Sequence, residues 1–294
     1  MAAVDILLPY YGDVELMKTA VGSVFAQTRS DWFLTVLDDA YPDPEPQRWF
    51  ASLEDPRVTY LRNDTNLGAN GNYRKALDMA QSPVVVIMGA DDIMLPSYLD
   101  HVVGLLEDYP DVSVAQPGVE IINGAGQRTK TLTDTVKSFT APSGPYPAVI
   151  GGEQMAANLL RAGWHYFPAL AWRREDIARF GFRPEFDVVQ DLALLMDIAA
   201  HGGSMVVDNP VSFQYRRHAS SDSSVRAADG RRFDEERRYF KEQTARFHDL
   251  GWSRAERAAR FHWTSRLNAL TVLLASLRHP SAHTARNMAR HIVG

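Results

Sequence analysis

The chain has 294 residues, enough for one large domain or two ordinary ones. With 45% hydrophobic and 23% charged residues it is neither a disordered nor a collagen-like chain. The net charge of −5 is unevenly placed: residues 1–225 hold 17 Lys/Arg against 29 Asp/Glu, and residues 226–294 hold 14 against 7. An acidic body argues against nucleic acid as a partner over most of the length. The basic tail suits an anionic surface.

There is no cysteine, which excludes disulfides, thiolate catalysis and cysteine-based zinc sites. The start, Met-Ala-Ala-Val-Asp, has no basic segment followed by a long apolar run, so no signal peptide is expected. The apolar stretch Leu267 to Leu277 is 11 residues long and contains Asn268 and Thr271, too short to span a bilayer. The expectation is a cytoplasmic protein.

In chain order, residues 4–8 (VDILL) read as a buried strand, and Leu16, Ala20, Val21 and Val24 recur at helical spacing up to Gln27. Residues 33–37 and 57–62 are strand-like, 69–80 suit a helix, and 83–88 (PVVVIM) form another apolar run. Residues 96–108 read as helical and 112–122 as extended. Strands alternating with helices predict a mostly parallel sheet covered on both faces. Residues 123–150, rich in Gly, Pro, Ser and Thr, read as a long mobile connection. Residues 152–222 mix short helices and strands, and helices are expected from about 229, with a break near His279-Pro280.

In such sheets ligands bind beyond the carboxyl ends of the strands. There the chain places Pro9-Tyr10-Tyr11, Asp38-Asp39 and Gly89-Ala90-Asp91-Asp92. Each alone reads equally as a turn or a helix cap; together they mark one edge. Two like charges about 4 Å apart cost on the order of 4 kcal/mol at an effective dielectric near 20. A hard divalent cation reverses that sign, so Asp91-Asp92 is a candidate metal and nucleotide-diphosphate site.

Three stretches carry a resemblance: VDILLPYYG, SVFAQTRSDWFLTVLDDA and NDTNLGANGNYRKALDMAQSPVVVIMGADDIMLP. They resemble the family 2 glycosyltransferases of GT-A fold, closely from residue 4 to about 100. The resemblance resumes at RPEFDVVQDLALLMDIAAHGG and YRRHASSDSS, to about 224. It implies a Rossmann-like nucleotide-binding sheet flanked by helices, with a helical C-terminal extension. The implied division is a GT-A domain over 1–225 and the extension over 226–294. Within the domain, 1–122 is the nucleotide-sugar half and 123–225 the acceptor and base half.

The resemblance also implies roles. Members move a sugar from a nucleotide donor, usually with inversion, to a hydroxyl acceptor such as a glycan, a lipid-linked glycan or a small molecule. Pro9, Tyr10 and Tyr11 match the nucleoside-holding segment, and Asp39 the acceptor of the base N3–H, which suits uracil or thymine. Asp38 is expected to orient the loop. Arg62, Asn66 and Gly68 match the stretch that closes over base and ribose. Asp92 matches the ligand to Mn2+ or Mg2+, and Asp91 a ribose or metal-water contact; many relatives carry a further Asp where this chain has Gly89. Asp191 matches the general base; it can also cap the helix beginning at Leu192, and both can hold, since a helix start is a rigid place for a base. Arg216 and Arg217 match diphosphate contacts and His218 a metal or pyrophosphate contact. Trp164 and His165 fall in the part that faces the acceptor.

Trp263, Leu267, Leu270, Leu274 and Leu277 form a stripe at helical spacing, with Arg260, Arg266 and Arg278 nearby. The stripe reads either as packing against the catalytic domain or a second copy, or as peripheral contact with the inner face of a membrane. The competing function is a catalytically silent nucleotide-sugar-binding or assembly module. A dinucleotide dehydrogenase is disfavoured, because the first strand leads into Pro-Tyr-Tyr-Gly rather than a G-x-G-x-x-G loop. A sugar nucleotidyltransferase is disfavoured too, since no Gly-rich loop with a following Lys occurs there.

Overall fold

The structure, a computed structural model, describes residues 3–217, 231–276, 288, 290 and 291. Strand β1 (Val4–Tyr10) is buried on both faces: Val4, Ile6, Leu8 and Tyr10 join one core, and Leu7 the other. Asp5 interrupts this apolar run without penalty, because its carboxylate accepts hydrogen bonds from the Ser82 N–H and hydroxyl, both at 2.7 Å. Helix α1 (Val14–Phe25) starts at Asp13, which accepts from the N–H groups of Glu15 and Leu16 at 2.9 Å. Then come β2 (Trp32–Asp38), α2 (Glu45–Ala51), β3 (Val58–Arg62), α3 (Gly68–Leu77) and β4 (Val84–Ile87). These strands lie in the order β3-β2-β1-β4, all parallel, as the alternation predicts. Their register sets Tyr10 beside Asp38 and Asp38 beside Arg62, so the carboxyl ends share one edge.

The second half is mixed. After β5 (Ile93–Met94), α4 (Tyr98–Asp108) buries Leu99, Val102, Val103 and Leu106, and β6 (Val114–Asn123) follows. Residues 123–150 are not one long connection. They contain α5 (Leu132–Thr140), and the chain then enters β7 (Ala148–Gly151). The overlooked signal is Thr131-Leu-Thr-Asp134, a capping box in which Thr131 and Asp134 satisfy each other's backbone. Then follow α6 (Gly152–Ala162), a 3-10 turn (Phe167–Ala169), β8 (Ala171–Arg173), α7 (Arg174–Phe180), α8 (Gln190–Ala200) and β9 (Ser204–Arg217). β8 runs antiparallel between β4 and β6, and β9 pairs parallel with β6. Both β5 and β7 are antiparallel to β9. At Gly118, where the β6–β9 register shifts, a Cβ would sit 2.2 Å from the Asn209 carbonyl oxygen, so only glycine fits.

The extension forms α9 (Arg231–Asp249), α10 (Ser253–Phe261) and α11 (Trp263–Ser276). Tyr239, Phe240, Phe247, Ala255 and Ala259 enter the same core as α6 and α8. In α11, Trp263, Leu267 and Leu270 are exposed, so these residues do not pack against the catalytic body. Leu277, Arg278 and the break at 279–280 lie outside the described residues.

Candidate active site

A cavity of about 970 Å³ opens at the carboxyl edge of β1, β2 and β4. It is lined by Pro9, Tyr10, Tyr11, Asp39, Asn66 and Gly68 on one side, and by Asp91, Asp92, His165 and Asp191 on the others. The sheet thus brings together ten of the residues picked out in the sequence.

On the wall formed by β1, β2 and α3, the buried Asp39 carboxylate accepts from Asn63 Nδ2 and the Leu67 N–H at 2.8 Å, and from the Gly68 N–H at 2.9 Å. A carboxylate has about four acceptor positions, so one is left for a donor from the pocket. Gly68 opens α3 with φ of 73°, a conformation that favours glycine, and this turn points its N–H at Asp39. Tyr10 is buried and donates its hydroxyl to the Gly12 carbonyl at 2.8 Å, whereas Tyr11 is exposed and packs edge-on against Tyr41. Asp38 turns the other way: it accepts from the Tyr41 N–H at 2.7 Å and from the Tyr60 hydroxyl. That agrees with a loop-orienting part. Arg62 is drawn to the same place, 3.3 Å from Asp38 and 2.7 Å from the Tyr41 carbonyl, and does not line the cavity.

Asp92 is buried. Its Oδ1 accepts from the Arg216 N–H at 2.8 Å, but its Oδ2 has no hydrogen-bond partner. Burial, together with the neighbouring Asp91 charge, pushes the Asp92 carboxyl well above the usual carboxylate range. An orphaned carboxylate oxygen beside a second carboxylate fits a divalent cation, which would supply the missing partner. Among the described residues no group of three or more potential ligands converges, so diphosphate oxygens or water would complete the shell. Gly89 belongs to this arrangement: a Cβ there would lie 2.4 Å from Asp92 Oδ2.

Arg216 does not reach into the cavity. It is buried, and its guanidinium donates to the carbonyls of Asp91 (2.6 Å), Asn123 (3.1 Å) and Gly124 (3.2 Å), pinning the loop that carries Asp91 and Asp92. Arg217 is paired in a fork with Asp134, at 2.6 and 2.9 Å, and also lies off the cavity. Neither residue lines the cavity. His218 lies outside the described residues.

On the far side, Asp191 sits in the first turn of α8. Its Oδ1 accepts from the Leu192 N–H at 2.8 Å, and its Oδ2 is 3.0 Å from His165 Nε2. Burial alone would raise this carboxyl; His165, the Leu192 N–H and Lys137 outweigh it and hold it below the usual range. His165 thus faces Asp191 within the cavity wall, and its Nδ1 is buried without a partner. Trp164 is not at the cavity: it is fully buried, and its indole N–H donates to Asn158 Oδ1 at 2.5 Å. It belongs to the core, and it borders a second, smaller cavity of about 320 Å³ rather than this one.

Sequence reasoning missed two supports. The loop before Asp191 is held by the extension, where Glu235 in α9 accepts from the N–H groups of Asp187 (3.1 Å), Val188 (2.6 Å) and Val189 (2.9 Å). Lys137 in α5 lines the cavity and donates to the His165 carbonyl at 2.7 Å. Burial, with the Arg217 charge, pushes its amine down to about 7.

The sequence profile of glycosyl transferase family 2 matches residues 5–179, more than half of the chain. Over 122 residues the chain is 30% identical to the UDP-Glc:alpha-D-GlcNAc-diphosphoundecaprenol beta-1,3-glucosyltransferase WfgD of Escherichia coli, covering 41% of this chain and 47% of that protein. The chain spans less than half the length of several curated relatives it matches. Two solved structures share the fold over 99% of this chain. One is TarS 1-349 of S. aureus in complex with UDP-GlcNAc (TM-score 0.64, 13% identity, 90% of that chain). The other is the mannosyltransferase PcManGT of Pyrobaculum calidifontis in complex with GDP-Man and Mn2+ (TM-score 0.61, 18% identity, 80% of that chain). On the profile match, with a GT-A sheet to accompany it, the chain belongs to glycosyl transferase family 2.

Proposed function

We propose that the chain is an inverting, metal-dependent glycosyltransferase that moves a sugar from a UDP- or dTDP-sugar to a hydroxyl acceptor. The observation that carries this reading is one cavity with two chemically opposed walls. Asp92 presents an orphaned carboxylate oxygen beside Asp91 on one wall, and Asp191 stands on another.

In this reading the donor base lies against Tyr10 and Tyr11 and gives its N3–H to the remaining acceptor position of Asp39. Asn66 and Gly68 border the ribose. Asp91 and Asp92 hold Mn2+ or Mg2+, which, when bound, supplies the positive charge that stabilises a departing diphosphate. Asp191 takes the proton of the acceptor hydroxyl as its oxygen attacks the anomeric carbon from the face opposite the nucleotide. His165 and the Leu192 N–H hold both carboxylate oxygens in place for that transfer. The division at residue 225 follows the same logic: the nucleotide half is 1–122, the base half 123–225, and the helical extension supports the base through Glu235.

The names of two relatives support a proposed acceptor class. WfgD acts, by its name, on a sugar linked to a lipid diphosphate, and a 34% identical relative over 104 residues is the succinoglycan biosynthesis protein ExoW of Rhizobium meliloti. A glycan, free or lipid-linked, is therefore the proposed acceptor in envelope or exopolysaccharide synthesis. Among the described residues no helix is long and apolar enough to cross a membrane. The exposed stripe of Trp263, Leu267 and Leu270 is the proposed contact with an anionic membrane surface or a second copy.

The test is calorimetric binding and turnover of UDP-, dTDP- and GDP-sugars with and without Mn2+. Metal-dependent turnover of a UDP- or dTDP-sugar is expected. Preference for GDP would overturn the role of Asp39, and binding without turnover on any donor would leave the silent binding module as the reading.

A further inference from the structure

Helix α5 is fastened in an unusual way. Helices α1, α4 and α8 bury apolar side chains, but the only buried side chain of α5 is Asp134. Its apolar residues face outward, with Leu132 72% and Phe139 84% exposed. What holds the helix is polar. Asp134 takes the Arg217 fork at 2.6 and 2.9 Å and the Tyr166 hydroxyl at 3.2 Å. Lys137 donates to the His165 carbonyl at 2.7 Å, with its amine 4.2 Å from the centre of the Tyr166 ring. Lifting such a helix exposes little apolar surface, and water can re-solvate the charges it parts. It is therefore a cheap element to open.

Its position gives opening a consequence. A second cavity of about 320 Å³ lies on the other side of α5, lined among others by Gln116, Lys130, Tyr146, Asp208 and Asn209. The main cavity and this one share Lys137 and Tyr166 as their wall. Moving α5 removes Lys137 from that wall and opens the smaller cavity toward Asp191. Aromatic faces among amide and charged groups suit a carbohydrate.

We propose that α5 is a strap over the acceptor, that Lys137 is a positioning residue tying its closure to the His165–Asp191 pair, and that the smaller cavity is an extension subsite for a glycan acceptor of more than one sugar. The proposal rests on the reading of Asp191 as the base. When the strap is closed, Lys137 fixes the His165 backbone, and His165 in turn fixes Asp191 Oδ2. Opening takes the Lys137 bond from the His165 carbonyl, and the ring, whose Nδ1 has no partner, is then held by Asp191 without that backbone anchor.

The chain has no cysteine, so Phe139→Cys accepts a single spin label on the strap, and Leu250→Cys gives an exposed control elsewhere. Lys137→Met in each background, together with ring 15N spectra of His165, reads both halves of the proposal without any ligand. The expected result is a label at 139 that tumbles severalfold faster, an unchanged label at 250, and displaced His165 ring signals. Lys137→Arg should restore both readouts. An unchanged label at 139 would overturn the strap, and unchanged His165 signals would overturn the positioning role. Failure of Lys137→Arg to restore the signals would assign Lys137 to folding alone and overturn the proposal as well. The extension subsite is read with the loaded enzyme: Tyr146→Ala and Asn209→Ala should raise KM for a trisaccharide acceptor severalfold and leave a monosaccharide acceptor unaffected, and equal effects on both would overturn it. The base reading is tested separately: full transfer by Asp191→Asn would sink it while the label results stood.

Discussion

His165 Nε2 stands 3.0 Å from Asp191 Oδ2, and the Leu192 N–H stands 2.8 Å from Asp191 Oδ1. The carboxylate is gripped at both oxygens yet still borders the cavity. General-base catalysis contributes about 10²–10⁴-fold, and Asp191→Asn should cost transfer that much. Donor binding, measured by calorimetry, should be unchanged. His165→Ala removes one grip and leaves the base, so a smaller loss in kcat, about tenfold, is expected.

Asp92 is a buried carboxylate with one oxygen unpaired, an arrangement that costs stability until a cation arrives. Asp92→Asn removes the charge and keeps an acceptor for the Arg216 N–H. Thermal melts should show the metal-free variant melting a few degrees above the parent. Added Mn2+ should stabilise the parent and leave the variant unmoved. A Mn2+ response retained in Asp92→Asn would remove Asp92 from the metal site.

Gly89 leaves no room for a side chain, because Asp92 Oδ2 lies where its Cβ would point, at 2.4 Å. The obstacle is the end of a side chain, so Gly89→Ala should fold and move the carboxylate rather than the backbone. The expected outcome is a near-parental melting temperature with Mn2+-dependent donor affinity lowered about tenfold, one hydrogen-bonded charge contact's worth.

Burial above all, with Arg217 and Arg232 beside it, presses the Lys137 amine to lose a proton, and Asp191 and Asp134 oppose them. Its folded-state value of about 7 lies below the ordinary value of 10.5, so the folded chain binds fewer protons between these limits. The folded state thus carries a penalty that is fully present below pH 7 and fades as pH rises toward 10. The difference in melting temperature between Lys137→Met and the parent should be most positive below pH 7 and shrink toward pH 10. A difference independent of pH would show that the amine keeps its ordinary basicity.

Trp263, Leu267 and Leu270 are exposed on α11, and the exposed Arg257 lies on the preceding helix. This pairing of an apolar helix with a basic one suits an anionic lipid surface. Substituting Trp263 and Leu267 by Glu should abolish co-sedimentation with vesicles carrying anionic lipid and leave turnover intact. If sedimentation velocity instead shows a dimer falling apart, the stripe belongs to a second copy.

The sequence by itself determined the parallel part of the sheet, β1 to β4. Apolar runs such as VDILL and PVVVIM report burial on both faces, and the polar residues that follow them can only lie at the strand ends. Parallel pairing then brings Tyr10, Asp39 and Asp92 to one edge. Those inferences need only local pattern and the rule that parallel strands align their ends. Side-chain direction was another matter. Arg62, Arg216 and Arg217 carry the right charge in the right segments, but each is captured by an acceptor far off in sequence: Asp38, the Asp91 carbonyl and Asp134. Trp164 is adjacent to His165, yet one fills the core and the other faces Asp191. Only the tertiary structure decided these, and only it disclosed Lys137 and Glu235 as supports of His165 and of the loop before Asp191, 28 residues from His165 and 46 from Val189. The physical reason is that a charged side chain settles where its desolvation is compensated, and the compensating partner is chosen by the whole fold rather than by its neighbours in the chain.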